Sequence, residues 1–376
     1  MQGRLFATTL RAKAFLTLSL FLFIIILVAC KKDQDEEKKE ETEVPSTAVN
    51  VVPSAFPYAK LSEYRFYIGE LNQLQPNDRV LPYAPATPLF SDYAHKSRFI
   101  WMPEGVSASY VGDHVSLDMP EGTMLIKNFF YEHVLPGDTK KILETRLIYK
   151  RNGEWLFADY LWNEDQTDAT FSLDGAYVPL EWNDDNGIDH SVNFRIPSEV
   201  ECHTCHKVNQ INSPIGLKPQ NLNFEYVYED GQKNQLDKLV EVGYLSGDIP
   251  ENIESIVAWD DESQPIDLRL RSYLDANCSH CHSDDGHCYY RPLRLAFNKT
   301  EEDENLGVCV EPQEFLEETL THVIARGNKL RSVMYYRLNT TDQQYRMPLF
   351  GRTVIHEEGV ALLEEYINSL SPACPE

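Results

Sequence analysis

Two pentapeptides, Cys202-His203-Thr204-Cys205-His206 and Cys278-Ser279-His280-Cys281-His282, hold the residues best suited to chemistry. Each reads C-x-x-C-H, the spacing that attaches a c-type haem. Two cysteines three apart on a helical turn present their sulfurs on one face, where each can form a thioether to one haem vinyl. The histidine directly behind them reaches the iron as proximal ligand. This reading assigns Cys202, Cys205, Cys278 and Cys281 to covalent attachment of two haem c groups, with His206 and His282 on iron. Zinc is the competing reading, because two C-x-x-C pairs can supply four thiolates. An all-thiolate site has no use for a histidine behind each pair, and free thiols do not persist outside a reducing compartment.

The other face of each iron separates the two sites. Met347, in Arg346-Met347-Pro348-Leu349, lies downstream of His282 and is expected as the sixth ligand of the second haem, with Met334 as the alternative. No methionine lies between His206 and the second motif. The first haem must therefore draw a distal ligand from Met102, Met119, Met124 or His190, or keep an open position for a small molecule. Pro214 and Pro292 follow the two motifs, and a proline carbonyl there is expected to accept the proximal imidazole N–H, by analogy with cytochromes c.

The elements that must position these residues fall into two textures. Residues 55–197 read as β-rich, a sandwich or barrel-like arrangement of short strands. Asn152-Gly153 between Leu147–Lys150 and Glu154–Phe157 is a strong hairpin signal. Thr123–Tyr131, Ala176–Trp182 and Ser191–Ile196 add further strands. Asp92 and His95 are expected to be solvated polar residues. From 198 onward helices and loops take over. Gln235–Tyr244 carries Leu236, Leu239 and Val240 on one face. Pro265 opens a helix with Ile266, Leu270 and Leu274 one turn apart, and Cys278 falls next on that stripe. A last helix over Glu357–Leu370 aligns Val360, Leu363 and Ile367. The expected fold class is thus α+β and multidomain, with an α-helical cytochrome c-like haem-binding region after the β-rich domain.

The N-terminus reads as an export signal. Basic residues precede an apolar run from Ala14 to Ala29, which ends in Leu27-Val28-Ala29-Cys30. That tetrapeptide resembles a lipobox, so Cys30 is expected to be lipidated and to tether the chain to a membrane, or else the segment stays as an uncleaved anchor. Residues 30–54 then form an acidic flexible tether. The full organisation is a signal peptide over 1–29, the tether over 30–54, the β-rich domain over 55–197, a first haem-binding segment over 198–260, and a cytochrome c domain with the second haem over 261–376. The net charge of −25 argues against nucleic acid as a partner and permits steering toward a basic redox protein. Of the eight cysteines, Cys288, Cys309 and Cys374 remain after lipid and haem. Cys288–Cys309 is the favoured disulfide, closing a loop behind the second motif, and Cys309–Cys374 is the other pairing considered.

The order of these features resembles a family of exported di-haem c-type cytochromes of Gram-negative bacteria, largely of unassigned function. The matching strings are Pro88-Leu89-Phe90-Ser91-Asp92-Tyr93, Trp162-Asn163-Glu164-Asp165-Gln166-Thr167, Pro214-Ile215-Gly216, Leu274 through His282, and Met347-Pro348-Leu349-Phe350-Gly351-Arg352. They span about residues 57–370. The resemblance implies covalent haem on the two motifs and electron transfer. A periplasmic or cell-surface protein is the expected redox partner, and the lipobox gives the lipid anchor, expected in the outer membrane. The resemblance specifies no substrate. A di-haem oxidoreductase of peroxidase or dehydrogenase type, with the first haem as an open catalytic centre, is the alternative. A sugar- or protein-binding surface lipoprotein is the third reading.

Overall fold

A computed structural model describes residues 47–375. The signal peptide, Cys30 and most of the tether lie outside the described residues. From Ala48 onward the chain is one compact unit. Its packed part begins earlier than residue 55, since Val49 and Val51 pack against the first core. No described helix is long and apolar enough to cross a membrane.

Antiparallel pairing dominates the first half. Strands β1 (Leu81–Pro82), β2 (His95–Trp101), β3 (Met124–Val134), β4 (Thr139–Arg151), β5 (Glu154–Trp162) and β6 (Ala169–Phe171) pair in sequence order. A hairpin of β7 (Ala176–Asn183) and β8 (Asp189–Ile196) joins at the end of β3 through Val134 and Trp182. Among the described residues no ladder pairs β6 back to β1, so the sheet is open rather than a closed barrel. The β4–β5 turn is the one the sequence predicts. Asn152 and Gly153 both take positive φ, at 55° and 78°, as a type I′ turn requires. Glu121 fixes them by accepting both backbone N–H groups, at 2.7 and 2.6 Å.

Side-chain alternation gives this sheet two different faces. One buries Tyr64, Ile126, Leu147, Tyr149 and Tyr160 in a continuous core. The other carries two separate apolar patches. Ile100 and Leu125 pack under helix α2 (Gln235–Glu241), while Phe129 and Tyr131 pack with Trp182 and Phe194. Between the patches runs a charged rung in strict register across four strands: Arg98 opposite Lys127, Lys127 opposite Arg146, Arg146 opposite Asp159.

Helices dominate the second half: α1 (Glu199–Cys205) and then α2, α3 (Ile266–Asn277), α4 (Val333–Leu338) and α5 (Glu357–Ser369), with shorter turns and two-residue or four-residue ladders between them. The stripes read from the sequence are the packed ones. Leu270 and Leu274 of α3 meet Val360, Leu363 and Ile367 of α5 in a second core. Mixed α and β structure with an antiparallel sheet first and helices after it matches the coarse expectation.

Polar clamps join sheet and helices. Asp92, expected to be solvated, is 1% exposed. Its carboxylate accepts the Thr353 N–H at 2.6 Å, the Val354 N–H at 3.1 Å and the Thr353 hydroxyl at 2.9 Å. The expectation failed because the covering loop lies more than half the chain away in sequence. Burial pushes the Asp92 carboxyl up, and these donors pull it back toward its usual value. Two further bonds act alongside. The Phe90 N–H donates to Asn277 Oδ1 at 2.8 Å, and Lys218 donates to the buried Asp275 at 2.6 Å. Asp92→Ala is expected to cost about 2–4 kcal/mol, because it orphans two buried amides. Asp92→Asn keeps an acceptor for both amides and is expected to cost less than half of that; equal losses in denaturant titrations of the two variants would remove the clamp.

Candidate functional site

Both C-x-x-C-H motifs form the same local turn. The Ser198 N–H and hydroxyl donate to Glu201, at 2.7 and 2.9 Å, and fix the start of α1. Arg195 pairs with the same carboxylate at 2.6 Å. The His206 N–H then donates to the Cys202 carbonyl at 3.0 Å. In the second motif α3 ends at Asn277, and the His282 N–H donates to the Cys278 carbonyl at 2.9 Å. In each case the first cysteine and the histidine lie one helical turn apart, on one side of the chain.

Two cavities border the motifs. The first holds about 390 Å³ and is lined by Cys202, Cys205 and His206, with Ser279 and His280 of the second motif and Met347 also on its wall. The second holds about 290 Å³ and is lined by Cys278, His282, Met334 and Met347. Between them the motifs touch. Side-chain ligand atoms of Cys205, His280 and Cys281 all lie within 4.8 Å of one another. The nearness of the two sulfurs holds the Cys205 thiol below its usual pKa and pushes that of Cys281 up. Among the described residues this is the one such group of three or more metal-binding side chains. Cys202 and Cys278 are not in it, so no four-cysteine zinc site assembles.

The donor set fits two haem c groups. His206 Nδ1 sits 2.9 Å from the Ser213 carbonyl oxygen. A carbonyl only accepts, so Nδ1 carries the proton and Nε2 is left with a free lone pair, as an iron ligand requires. Burial pushes the His206 pKa down to about 4, which keeps the ring neutral. The carbonyl belongs to Ser213 and not to Pro214: the turn after α1 directs the preceding peptide unit at the ring. Pro292 lines the second cavity, but His282 Nδ1 is buried without a hydrogen-bond partner among the described residues. Burial likewise brings the His282 pKa down to about 4.

Met347 is held from both sides. Its N–H donates to the Arg337 carbonyl at 2.9 Å. Its own carbonyl accepts from Arg352 at 3.0 Å. The Arg352 guanidinium is 4% exposed and directs its donors to backbone carbonyls, among them those of Arg337, Leu338, Thr340 and Val354. Met334 packs into the helical core from α4.

For the first cavity the four distal candidates fail. Met102, Met119 and Met124 are buried in the apolar cores of the sheet, and His190 stacks on Trp182 beside Asp184. None of them lines the cavity. Besides His206, three histidines to which the sequence assigns no role do line it: His114, His356 and His280 of the second motif. His114 bonds Gln220 and pairs with Glu254 at 3.3 Å. His356 stacks on Phe90 at 4.1 Å and bonds the Tyr273 hydroxyl at 3.0 Å. No spacing rule marks either one.

The favoured disulfide is also corrected. Cys309 bonds Cys374, with Cα atoms 5.3 Å apart, and Cys288 is a buried free cysteine facing the second cavity. Nearness in sequence gave way to the fold: the Cys309 N–H bonds Ile324, and the C-terminal tail runs back along that segment, with Arg326 N–H on Cys374 Sγ at 3.3 Å. The bond closes a loop with a sequence separation of 65 residues. Cys374→Ser is expected to lower stability by about 2–4 kcal/mol. Peptide mapping without reductant should recover the Cys309–Cys374 pair; a Cys288–Cys309 peptide would overturn the assignment.

Comparison with known protein families, with curated proteins and with solved structures finds no match for this chain.

Proposed function

We propose that this protein is an exported di-haem c-type cytochrome that transfers electrons between two covalently held haems. One observation carries the reading: the two motifs meet at Cys205 and Cys281 while Cys202 and Cys278 border separate cavities, each with its own histidine. Thioethers at all four sulfurs would bring two porphyrin edges together at the shared contact. Each haem, when bound, supplies an iron that cycles between ferric and ferrous states.

The chain's own residues supply position and environment. His206 is oriented by Ser213 and flanked by Phe157 at 5.1 Å. Met347, fixed through Arg352, is the sixth ligand proposed for the second iron, and a thioether there favours electron transfer over chemistry. The helical region around α3 and α5 takes the part of a cytochrome c domain. The strongly acidic chain suits a basic redox partner protein, and lipid at Cys30 would keep it at a membrane, with the outer membrane as the proposed location.

A second reading, a di-haem oxidoreductase with an open first haem, draws on one feature. The larger cavity contains none of the four distal candidates for the first haem; on its wall His114 and His356 already bond other side chains, His280 of the second motif keeps a buried Nδ1 without a hydrogen-bond partner among the described residues, and Met347 also lines the second cavity.

The deciding experiment is the reduced spectrum of the holo-protein with and without carbon monoxide. Two covalent haems with no spectral change on carbon monoxide are expected for the electron carrier. A change in about half of the haem would favour the oxidoreductase. Protein matured with zinc and no covalent haem would overturn both.

A further inference from the structure

The charged rung on the sheet faces the first cavity, and its charges do not balance. Arg98, Lys127 and Arg146 all line that cavity. They stand in register on neighbouring strands, about 4.8 Å apart per strand. Like charges set directly opposite one another repel, and more strongly away from bulk water. Arg146 has its answer in Glu144, which is fully buried and bidentate to the guanidinium at 2.5 and 3.0 Å. Arg98 and Lys127 have none: among the described residues neither has a side-chain hydrogen bond or an ion pair. Lys127 has only the face of Phe129, at 4.7 Å. The fourth member of the rung, Asp159, is 3% exposed with both carboxylate oxygens unpartnered, and burial followed by Glu144 pushes its carboxyl up toward the neutral acid.

Burial holds the Lys127 ammonium well below its usual range and lowers the Arg98 guanidinium as well, because enclosed charge without a counter-ion is costly; an anion seated beside them would keep both charged. The rung shares its cavity with the first motif: Cys202 and His206 line the same wall space as Arg98, Lys127, Arg146 and Asp159. Arg98 stands at the end of the rung away from Asp159, beside Tyr83, whose N–H bonds the Arg98 carbonyl at 3.0 Å. A ligand held at Cys202 and His206 would share that enclosed space with Lys127 and Arg98.

We infer that Arg98 and Lys127 bind the carboxylates of the ligand in the first cavity, and that these carboxylates are the propionates of the haem attached at Cys202 and Cys205. The inference rests on the di-haem reading. It explains why the sheet carries a polar rung on a covered face: the rung is the counter-charge of a buried cofactor. The same chemistry could come from a small free carboxylate held beside the haem, and the test separates the two.

The test uses the full holo-protein and the variants Arg98→Gln and Lys127→Gln, with Arg98→Lys and Lys127→Arg as charge-preserving partners and Lys233→Gln as an exposed control. Covalent haem content per chain is measured first, because loss of haem from the parent protein indicts the di-haem reading and not this inference. Midpoint potentials of both haems are then measured. Removing a cation beside the propionates takes away charge that favours the ferrous state, so one potential should fall in each Gln variant while the other stays fixed. The charge-preserving variants should stay near the parent, as should the control. Unchanged potentials in haem-loaded Gln variants would overturn the inference. Formate titrated into the parent should leave the Soret band unmoved; a saturable change that Lys127→Gln abolishes would reassign the rung to a free carboxylate. If the Gln variants do not accumulate, the charge-preserving pair still decides: a displaced potential with charge retained would count against the inference.

Discussion

Ionic side chains that bond backbone, rather than one another, hold this molecule together. Asp92 and Arg352 are both almost fully enclosed. The first gathers the amides of Thr353 and Val354; the second gathers carbonyls on either side of Met347. A buried charge must be satisfied by several partners at once, which leaves it little freedom. The two therefore fix one loop from opposite directions. Asp92 fastens it to the sheet and Arg352 fastens it to α4. Everything the loop carries, Met347 above all, inherits that precision. Asp275 repeats the principle in part, accepting the Phe297 N–H as well as Lys218, and the Phe90 N–H on the Asn277 amide joins it in tying the first half and the first motif's segment to α3.

This pattern gives physical content to strings that look chemically mute in the sequence. Phe90, Asp92 and Tyr93 bond no cysteine of either motif. They reach Asn277, Thr353, Val354 and, through the Tyr93 hydroxyl, Glu358 at 2.7 Å. Asp92 and Tyr93 both accept positive φ to do so, 51° and 63°. A non-glycine residue holds that conformation only when its surroundings over-determine it. Here the surroundings are the two parts of the chain that the segment joins.

What could be read from the sequence was local. Asn152-Gly153 makes its turn whatever else folds, and Leu270, Leu274 and the α5 stripe declare themselves by spacing alone. The motif cysteines and histidines are legible for the same reason. The rung of Arg98, Lys127 and Arg146 was not. Alternation along β2, β3 and β4 marks those positions as the face opposite the first core, which reads as solvent. What covers them comes from residues after 198, and no pattern within a strand reports it. The Cys309–Cys374 pairing escaped for an equivalent reason: the choice depended on where the tail returns, which is a property of the whole helical core.

The approach of Cys205 to Cys281 bears on how the molecule is made. These are two thiols on different helical turns, with their sulfurs within 4.8 Å of each other. Where a disulfide oxidant is at hand, thiols so close can join through a mixed disulfide that the second thiol resolves, the two electrons passing to the oxidant. In a chain that folded with its cysteines free, such a bond would staple the two motifs to each other. On the di-haem reading proposed above, the staple would take one attachment sulfur from each motif, so attachment would have to precede folding, and the contact that would serve the finished protein would be a trap for the unfinished one.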